Sequence, residues 1–171
     1  MAGGGDVGIS STSRTTTIGH PMAGAWNVKC AEMIFDYSQV GNHASSNFAL
    51  IGKLNVPAGS YILDIQVHGV SLWVSGATAA IKIGDSDNAT GFHTSTDLKA
   101  TDLLAGEANT MEHPGGKAGT YTASEQRVFY SASARTVIAQ VTVGAHGTAV
   151  SAGETRVLIL YAPAPEDSVK V

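Results

Sequence analysis

The sequence is short of charge. Asp, Glu, Lys and Arg make up 14% of its 171 residues, against roughly 25% in ordinary soluble domains. Aromatic residues are sparse too, at 6%, while hydrophobic residues reach 43%. The missing charge is therefore replaced by Ala, Gly, Ser and Thr rather than by a larger core. A solitary monomer usually keeps a well-charged exterior for solubility, so this neutral surface points to a chain largely covered by other protein in an assembly. A neutral but solitary secreted domain is the rival reading.

Other absences narrow the function classes. Cys30 is the single cysteine, which excludes an intrachain disulfide framework and any multi-thiolate zinc or iron–sulfur site. Ten basic residues against fourteen acidic ones give a net charge of −4, and no basic cluster follows a phosphate backbone, so no direct nucleic-acid partner is expected. The longest strongly apolar run, residues 157–162, is far below the roughly 20 residues of a membrane-spanning helix. Met1-Ala2-Gly3-Gly4-Gly5-Asp6 lacks the basic and apolar regions of a signal peptide, so neither membrane nor export is expected. The length suits one domain, or one domain with an arm.

What is present is mostly strand. Residues 1–19 form a Gly-, Ser- and Thr-rich arm, including Ser10-Ser11-Thr12-Ser13-Arg14-Thr15-Thr16-Thr17, too poor in apolar groups to build a core and expected to be held by a neighbouring subunit. Residues 20–163 carry a β-sandwich, and residues 164–171 a polar tail behind Pro163 and Pro165. Period-two alternation marks the strands. Tyr61, Leu63, Ile65 and Val67 are expected on one face and Asp64, Gln66 and His68 on the other. Val137, Ala139, Val141 and Val143 repeat the pattern, as do Phe48, Leu50 and Leu54 before the turn at Pro57-Ala58-Gly59. Residues 156–161 are apolar on both faces, as in a central strand covered on both sides. Weaker strand candidates are 29–37, 70–74, 78–83 and 126–130, the one helix-like stretch is 95–105, and 106–124 reads as a long excursion. Short strands with Gly- and Pro-marked turns predict an all-β, antiparallel two-sheet β-sandwich of jelly-roll or related order, with at most one short helix.

Chemical constellations are weak. Gly84-Asp85-Ser86-Asp87-Asn88-Ala89-Thr90-Gly91 places Asp85 and Asp87 at alternate positions, as in a calcium loop. Counting from Asp85, however, Thr90 stands where Gly is required and Thr96 where a bidentate Glu is required. Asp and Asn also cap sharp turns through their own side chains, and that is the preferred reading. The six histidines have none of the i, i+2 or i, i+4 spacings that aim two imidazoles at one metal. Cys30 beside Ala31 and Met33 reads as a buried, inert thiol. There is no Gly-x-Ser-x-Gly elbow and no phosphate loop, so no enzyme, cofactor or metal is expected. Trp73 between Leu72 and Val74 reads as core. Trp26, with Ile9 and Ile18 of the arm, is a candidate subunit contact, although Trp26 serves equally as a plug at the edge of its own core.

Three stretches taken in order resemble the capsid decoration, or cement, proteins of tailed bacteriophages. They are Leu54-Asn55-Val56-Pro57-Ala58-Gly59-Ser60-Tyr61-Ile62-Leu63-Asp64-Ile65-Gln66-Val67, then Ala80-Ile81-Lys82-Ile83-Gly84-Asp85-Ser86-Asp87-Asn88-Ala89-Thr90-Gly91-Phe92 with Thr96-Asp97-Leu98, and finally Ala152-Gly153-Glu154-Thr155-Arg156-Val157-Leu158-Ile159-Leu160-Tyr161. They cover under half of the chain. The resemblance implies a β-sandwich subunit, commonly a homotrimer, that is made in the host cytoplasm, sits on the exterior of the virion and binds the lattice of major capsid protein against the pressure of the packaged genome. It carries no catalytic residues. The Gly-rich stretch around Gly115 and the Thr-rich arm depart from the family pattern. Two other readings suit a neutral β-sandwich: a tail-fibre or spike module that binds host surface glycans, and a cupin-like metalloenzyme, which would need histidines converging on a metal.

Overall fold

Every strand pair among the described residues is antiparallel, and one series of pairs nests inside another. The structure is a computed structural model that describes residues 16–18 (as backbone), 28–40, 48–75, 78–110, 117–121, 129–144 and 150–163. Its strands are β1 (Thr16–Ile18), β2 (Val28–Asp36), β3 (Phe48–Val56), β4 (Ser60–Val74), β5 (Ala79–Gly84), β6 (His93–Asp97), β7 (Ala108–Thr110), β8 (Phe129–Ser131), β9 (Arg135–Val143) and β10 (Ala152–Ala162). β5 pairs with β6, β4 with both β7 and β8, β3 with β9, and β2 with β10. The chain is thus one long hairpin with its tip between β5 and β6, rolled so that successive pairs fall alternately into two sheets. The first sheet has the order β1-β2-β10-β4, with β7 and β8 both on the far edge of β4, and the second has the order β3-β9-β5-β6. With β7 and β8 counted as one interrupted strand, and β1 set aside as an addition, this is the eight-stranded, double Greek-key jelly roll.

Alternation builds the core between the sheets. Val137, Ala139, Val141 and Val143 of β9 face inward and are buried, as the sequence predicts, and Leu50 and Val56 of the neighbouring β3 are buried in the same core. From the first sheet, Ile62, Ile65 and Val67 of β4 and Val157, Ile159 and Tyr161 of β10 close the other side. Each fully buried aliphatic side chain contributes about 1.5–3 kcal/mol relative to exposure. The turn into β4 falls at Pro57-Ala58-Gly59, where Gly59 has φ +75°; that conformation carries no Cβ penalty in glycine.

Several expectations are corrected. In β4 the inward residues are Ile62, Ile65 and Val67, whereas Tyr61 and Leu63 are only half-buried. The pairing with β10 slips between Leu160 and Tyr161, opposite Asp64 and Ile62. Such a bulge inserts one unpaired residue and reverses which face the earlier residues occupy. The helix-like stretch 95–105 is not a helix: its first residues belong to β6 and a turn follows. Thr- and Ser-rich sequence at 94–96 suits a strand beside β5 better than a helix. The helical element among the described residues is instead the single 3-10 turn Tyr37–Val40 after β2. β10 is central, between β2 and β4, yet its outward Leu158 and Leu160 are half-buried rather than covered. The excursion at 106–124 contributes β7 and a bridge between Ala118 and His93. Cys30 is half-buried, not buried; burial, then the neighbouring Glu32 charge, raises its pKa and keeps the thiol protonated. Of the arm, for which the sequence leaves its own domain or a neighbour open and favours the neighbour, Thr16–Ile18 form β1 on the chain's own β2, and the rest lies outside the described residues.

Trp73 locks the end of β4 onto β10. It is buried, and its indole Nε1 donates to Thr155 Oγ1 at 2.8 Å. Gly153 passes directly over the ring with φ +145°, so that a Cβ there would meet Trp73 Cδ2 at 2.5 Å. Both the backbone conformation and the indole exclude a side chain. Gly153→Ala is expected to destabilise the fold by about 2–4 kcal/mol, adding backbone strain to overpacking. Thermal unfolding of the variant checks this, and an unchanged melting temperature would show that β10 can shift away from the indole.

Candidate functional site

Strand direction sorts the connections to two ends of the sandwich. One end gathers the β3–β4 turn, the tip between β5 and β6, the β8–β9 turn and the start of β2. The other gathers the segments after β2 and β4, the turn at 98–107, and the start of β10. The two ends differ in chemistry.

At the first end lies Asp85, one of the two acids singled out from the sequence. Its side chain is almost completely enclosed, with 3% exposure, and forms an ion pair with Arg135. Oδ1 accepts the backbone N–H of Asp87 at 2.9 Å and of Asn88 at 2.8 Å, and Tyr121 Oη donates to the carboxylate at 2.9 and 3.1 Å. Burial alone would raise this carboxyl's pKa. The N–H of Asn88, the Tyr121 hydroxyl, the Arg135 guanidinium and the N–H of Asp87 together outweigh it and hold the group below its usual 3.8. The Arg135 guanidinium in turn lies over Phe129 at 4.9 Å and Tyr121 at 5.4 Å, a favourable cation–π arrangement. Phe92 meets Phe129 and Tyr121 edge-on at 5.2 and 5.1 Å. Residues 117–121 are drawn onto the tip by Tyr121 N–H to Gly91 O at 2.8 Å and Gly119 N–H to Phe92 O at 3.0 Å.

Asp85 and Asp87 do not converge. Asp85 faces inward onto Arg135, whereas Asp87 is exposed and accepts only a long 3.4 Å contact from Ser86 Oγ. Among the described residues no group of three or more His, Cys, Asp or Glu side chains gathers as a metal site would. What the Asp-rich turn does is cap itself and anchor the hairpin tip. A second clamp holds the 98–107 turn: Lys117 Nζ meets Asp102 Oδ2 at 2.5 Å, and the Asp97 N–H donates to the same oxygen at 2.9 Å. The Lys117 hydrogen bond leads in lowering the Asp102 pKa, helped by the Asp97 N–H and opposed by burial.

The other end exposes apolar side chains. Tyr37, Val70, Val74 and Leu104 are each at least 40% exposed, and Ile34 lies nearby on the outer face of β2. Between them, on the same outer face, Arg156 pairs with Glu154 at 3.0 Å and Glu32 at 3.7 Å. Beside it on β4, Gln66 donates to Asp64 at 2.8 Å and accepts from His68 at 3.0 Å. Five large apolar residues towards the end that holds Trp73, with Arg156 opposite Ile34, have the composition of a protein contact surface; the first end exposes one, Tyr130. The sequence reading missed it, because Tyr37, Val70 and Leu104 belong to three separate elements brought together only by the roll. Of the contacts it did name, Ile9 and Trp26 lie outside the described residues, and Ile18 is placed by its backbone alone, opposite Val28.

No family model matches the chain, and no curated protein matches it in sequence. Its fold does have relatives among solved structures. A chain of the acid-stable capsid of Helicobacter pylori bacteriophage KHP30 superposes with a TM-score of 0.50 and 14% identity, over 91% of this chain and 95% of that one. A chain of the cyanophage Pam1 capsid asymmetric unit superposes with a TM-score of 0.54 and 14% identity, over 92% and 99%. At this identity the likeness is one of fold, and it runs through nearly the whole of each chain.

The lowered Asp85 pKa sets a pH signature. A carboxylate whose folded pKa lies below its unfolded value stabilises fully above the unfolded value, and the contribution disappears as pH falls through the folded one. Stability is expected to be level above about pH 5 and to fall below about pH 4. Asp85→Asn should melt lower at pH 7, with the gap to the parent closing towards pH 3; a gap independent of pH would show that charge at Asp85 contributes nothing.

Proposed function

We propose that this chain is a structural protein of a phage virion, a decoration (cement) subunit that binds the outside of the major capsid lattice as a homotrimer. The observation that carries this reading is the fold likeness to two phage capsid chains, end to end in both. The scarcity of charge supports it, since a neutral surface suits permanent cover by sister and lattice subunits. So does the stretch-by-stretch resemblance to decoration proteins. The role is mechanical, without catalysis. Subunits seated where capsomers meet add many weak contacts, and linked contacts give avidity without any single tight site. The apolar end with Tyr37, Val74 and Leu104 is the surface best suited to the shell, and the opposite end, braced by Asp85 and Arg135, resists distortion of the hairpin tip.

Heads lacking this protein, mixed with the purified chain and sedimented, are expected to bind it with saturable, lattice-defined stoichiometry and to withstand heating better afterwards. The free protein should have three times the 17.5 kDa chain mass by native mass spectrometry. Val74→Asp with Leu104→Asp is expected to reduce head occupancy at least tenfold while leaving the melting temperature within a few degrees. No binding of the parent chain at any concentration would reject the decoration role; full binding by the double variant would move the contact to another face.

A further inference from the structure

The outer edge of β2 is only partly used. β1 covers it antiparallel at Val28, Lys29 and Cys30, with Ile18, Thr17 and Thr16 as the respective partners. Beyond Cys30, β2 continues to Asp36 with β10 on its inner edge, and among the described residues no strand pairs with its outer edge over 31–36. An uncovered edge of this length offers a row of backbone donors and acceptors to any extended chain.

The register of β1 says which chain. In each observed pair the two residue numbers sum to 46, so an extension of β1 in the N-terminal direction would run along β2 towards Asp36. Continued without a slip, that register puts Thr15 opposite Ala31, Arg14 opposite Glu32, Thr12 opposite Ile34 and Ser10 opposite Asp36. Arg14 is the only cation in residues 1–19, apart from the chain terminus. Glu32 is the carboxylate in the middle of the uncovered edge; its side chain is 28% exposed and its contact to Arg156 is long, at 3.7 Å. Residues 10–15 are Ser, Thr and Arg throughout, without Pro or Gly to break a strand.

We propose that residues 10–15 of the chain dock on the 31–36 edge of its own β2 by extending β1, with Arg14 paired to Glu32. Three observations converge on this occupant: the continuity with β1, the length and direction of the chain preceding Thr16, and the single opposite charge falling at the matching position. The docked segment closes the first sheet's edge and delivers Ile9 next to Tyr37, at the end of the sandwich where the apolar residues are exposed. The inference does not depend on the identity of the shell partner.

Directly opposed strand residues have Cβ atoms about 4.5–5.5 Å apart, within reach of a disulfide after small adjustment. In a Cys30→Ser background, Arg14→Cys with Glu32→Cys is expected to close an intrachain disulfide in near-quantitative yield under mild oxidation, seen as a two-dalton loss in intact mass on a single-chain species. Ser13→Cys with Glu32→Cys, one residue out of register, should cross-link at least fivefold more slowly. Equal rates for the two pairs, or no cross-link at all, would overturn the proposal. Disulfide-linked dimers in place of the intrachain bond would overturn it in favour of strand exchange between copies. Hydrogen exchange on the unmodified protein provides a second readout: at least tenfold slowing at alternate amides of 31–36, lost in Glu32→Arg and restored in Glu32→Arg with Arg14→Glu, is expected. Head binding is measured separately, so failure of this docking and failure of the decoration role remain distinguishable.

Discussion

The long antiparallel pairing of β4 with β10 is the constraint on which the remaining architecture rests. β4 has 15 residues, about 50 Å of strand, and every other strand of the first sheet except β1, which pairs with β2, pairs with it or with its partner. Strands of 15 and 11 residues cannot stay flat and in strict alternation while covering a twisted core, and the pair absorbs the mismatch in register shifts near both ends. One shift lies at Leu160–Tyr161, beside the hairpin tip, and others lie between Ala152 and Thr155, beside Trp73. Between them Ile65, Val67, Val157 and Ile159 are fully buried in an uninterrupted ladder. The two ends are therefore where the backbone of this pair is bent, and at one of them the hydrogen bond from Trp73 to Thr155 ties β4 to β10 beside the shifts.

That division also explains what the sequence made legible. β9, with one residue in and the next out from Arg135 to Val143, has no bulge and reads directly from its valines. β4 alternates just as cleanly, but the residue count to its core changes at the bulge, so its first inward side chain is Ile62 and not Tyr61. Nothing in the local pattern marks the slip, because it is imposed by β10, some 100 residues away in sequence. The hairpin tip was legible as a turn, since Asp85 and Asn88 cap it locally. The inward ion pair of Asp85 with Arg135 was not, because the pairing spans 50 residues. The clustering of Tyr37, Val70, Val74 and Leu104 was equally invisible: each is an ordinary apolar residue until the roll sets their elements at one end.

A hydrophobic core alone does not distinguish a jelly roll that works as an enzyme or a sugar binder from one that serves as a building block. The placement of polar groups describes instead how this one is braced. Here the buried polar side chains with stated partners are spent on internal fixation: Thr155 on Trp73, Asn109 Nδ2 on the Asp102 carbonyl, and Asp85 on a turn and an arginine. Most of the large apolar side chains left exposed, Ile34, Tyr37, Val70, Val74 and Leu104, lie towards the end that holds Trp73, with Tyr130 at the other end.

Low charge also bears on the sheet edges. Soluble β-proteins commonly blunt their edges with lysines, bulges or covering segments, and a chain with ten basic residues has few lysines for the purpose. Lys53 stands exposed in the middle of β3, the edge of the second sheet. At the opposite edge of that sheet, residues 117–118 cover β6 through Thr94 N–H to Lys117 O and the Ala118 bridge to His93. The far edge of the first sheet is broken into the short pieces β7 and β8, three residues each. Only β2 presents a long run without such a device among the described residues, and it is the strand from which β1 leads back into the arm. With few lysines available, covering an edge with chain is the remaining device, and the composition of residues 10–15 suits such a cover: Ser and Thr, uncharged except at Arg14, and too polar to collapse on a core of its own.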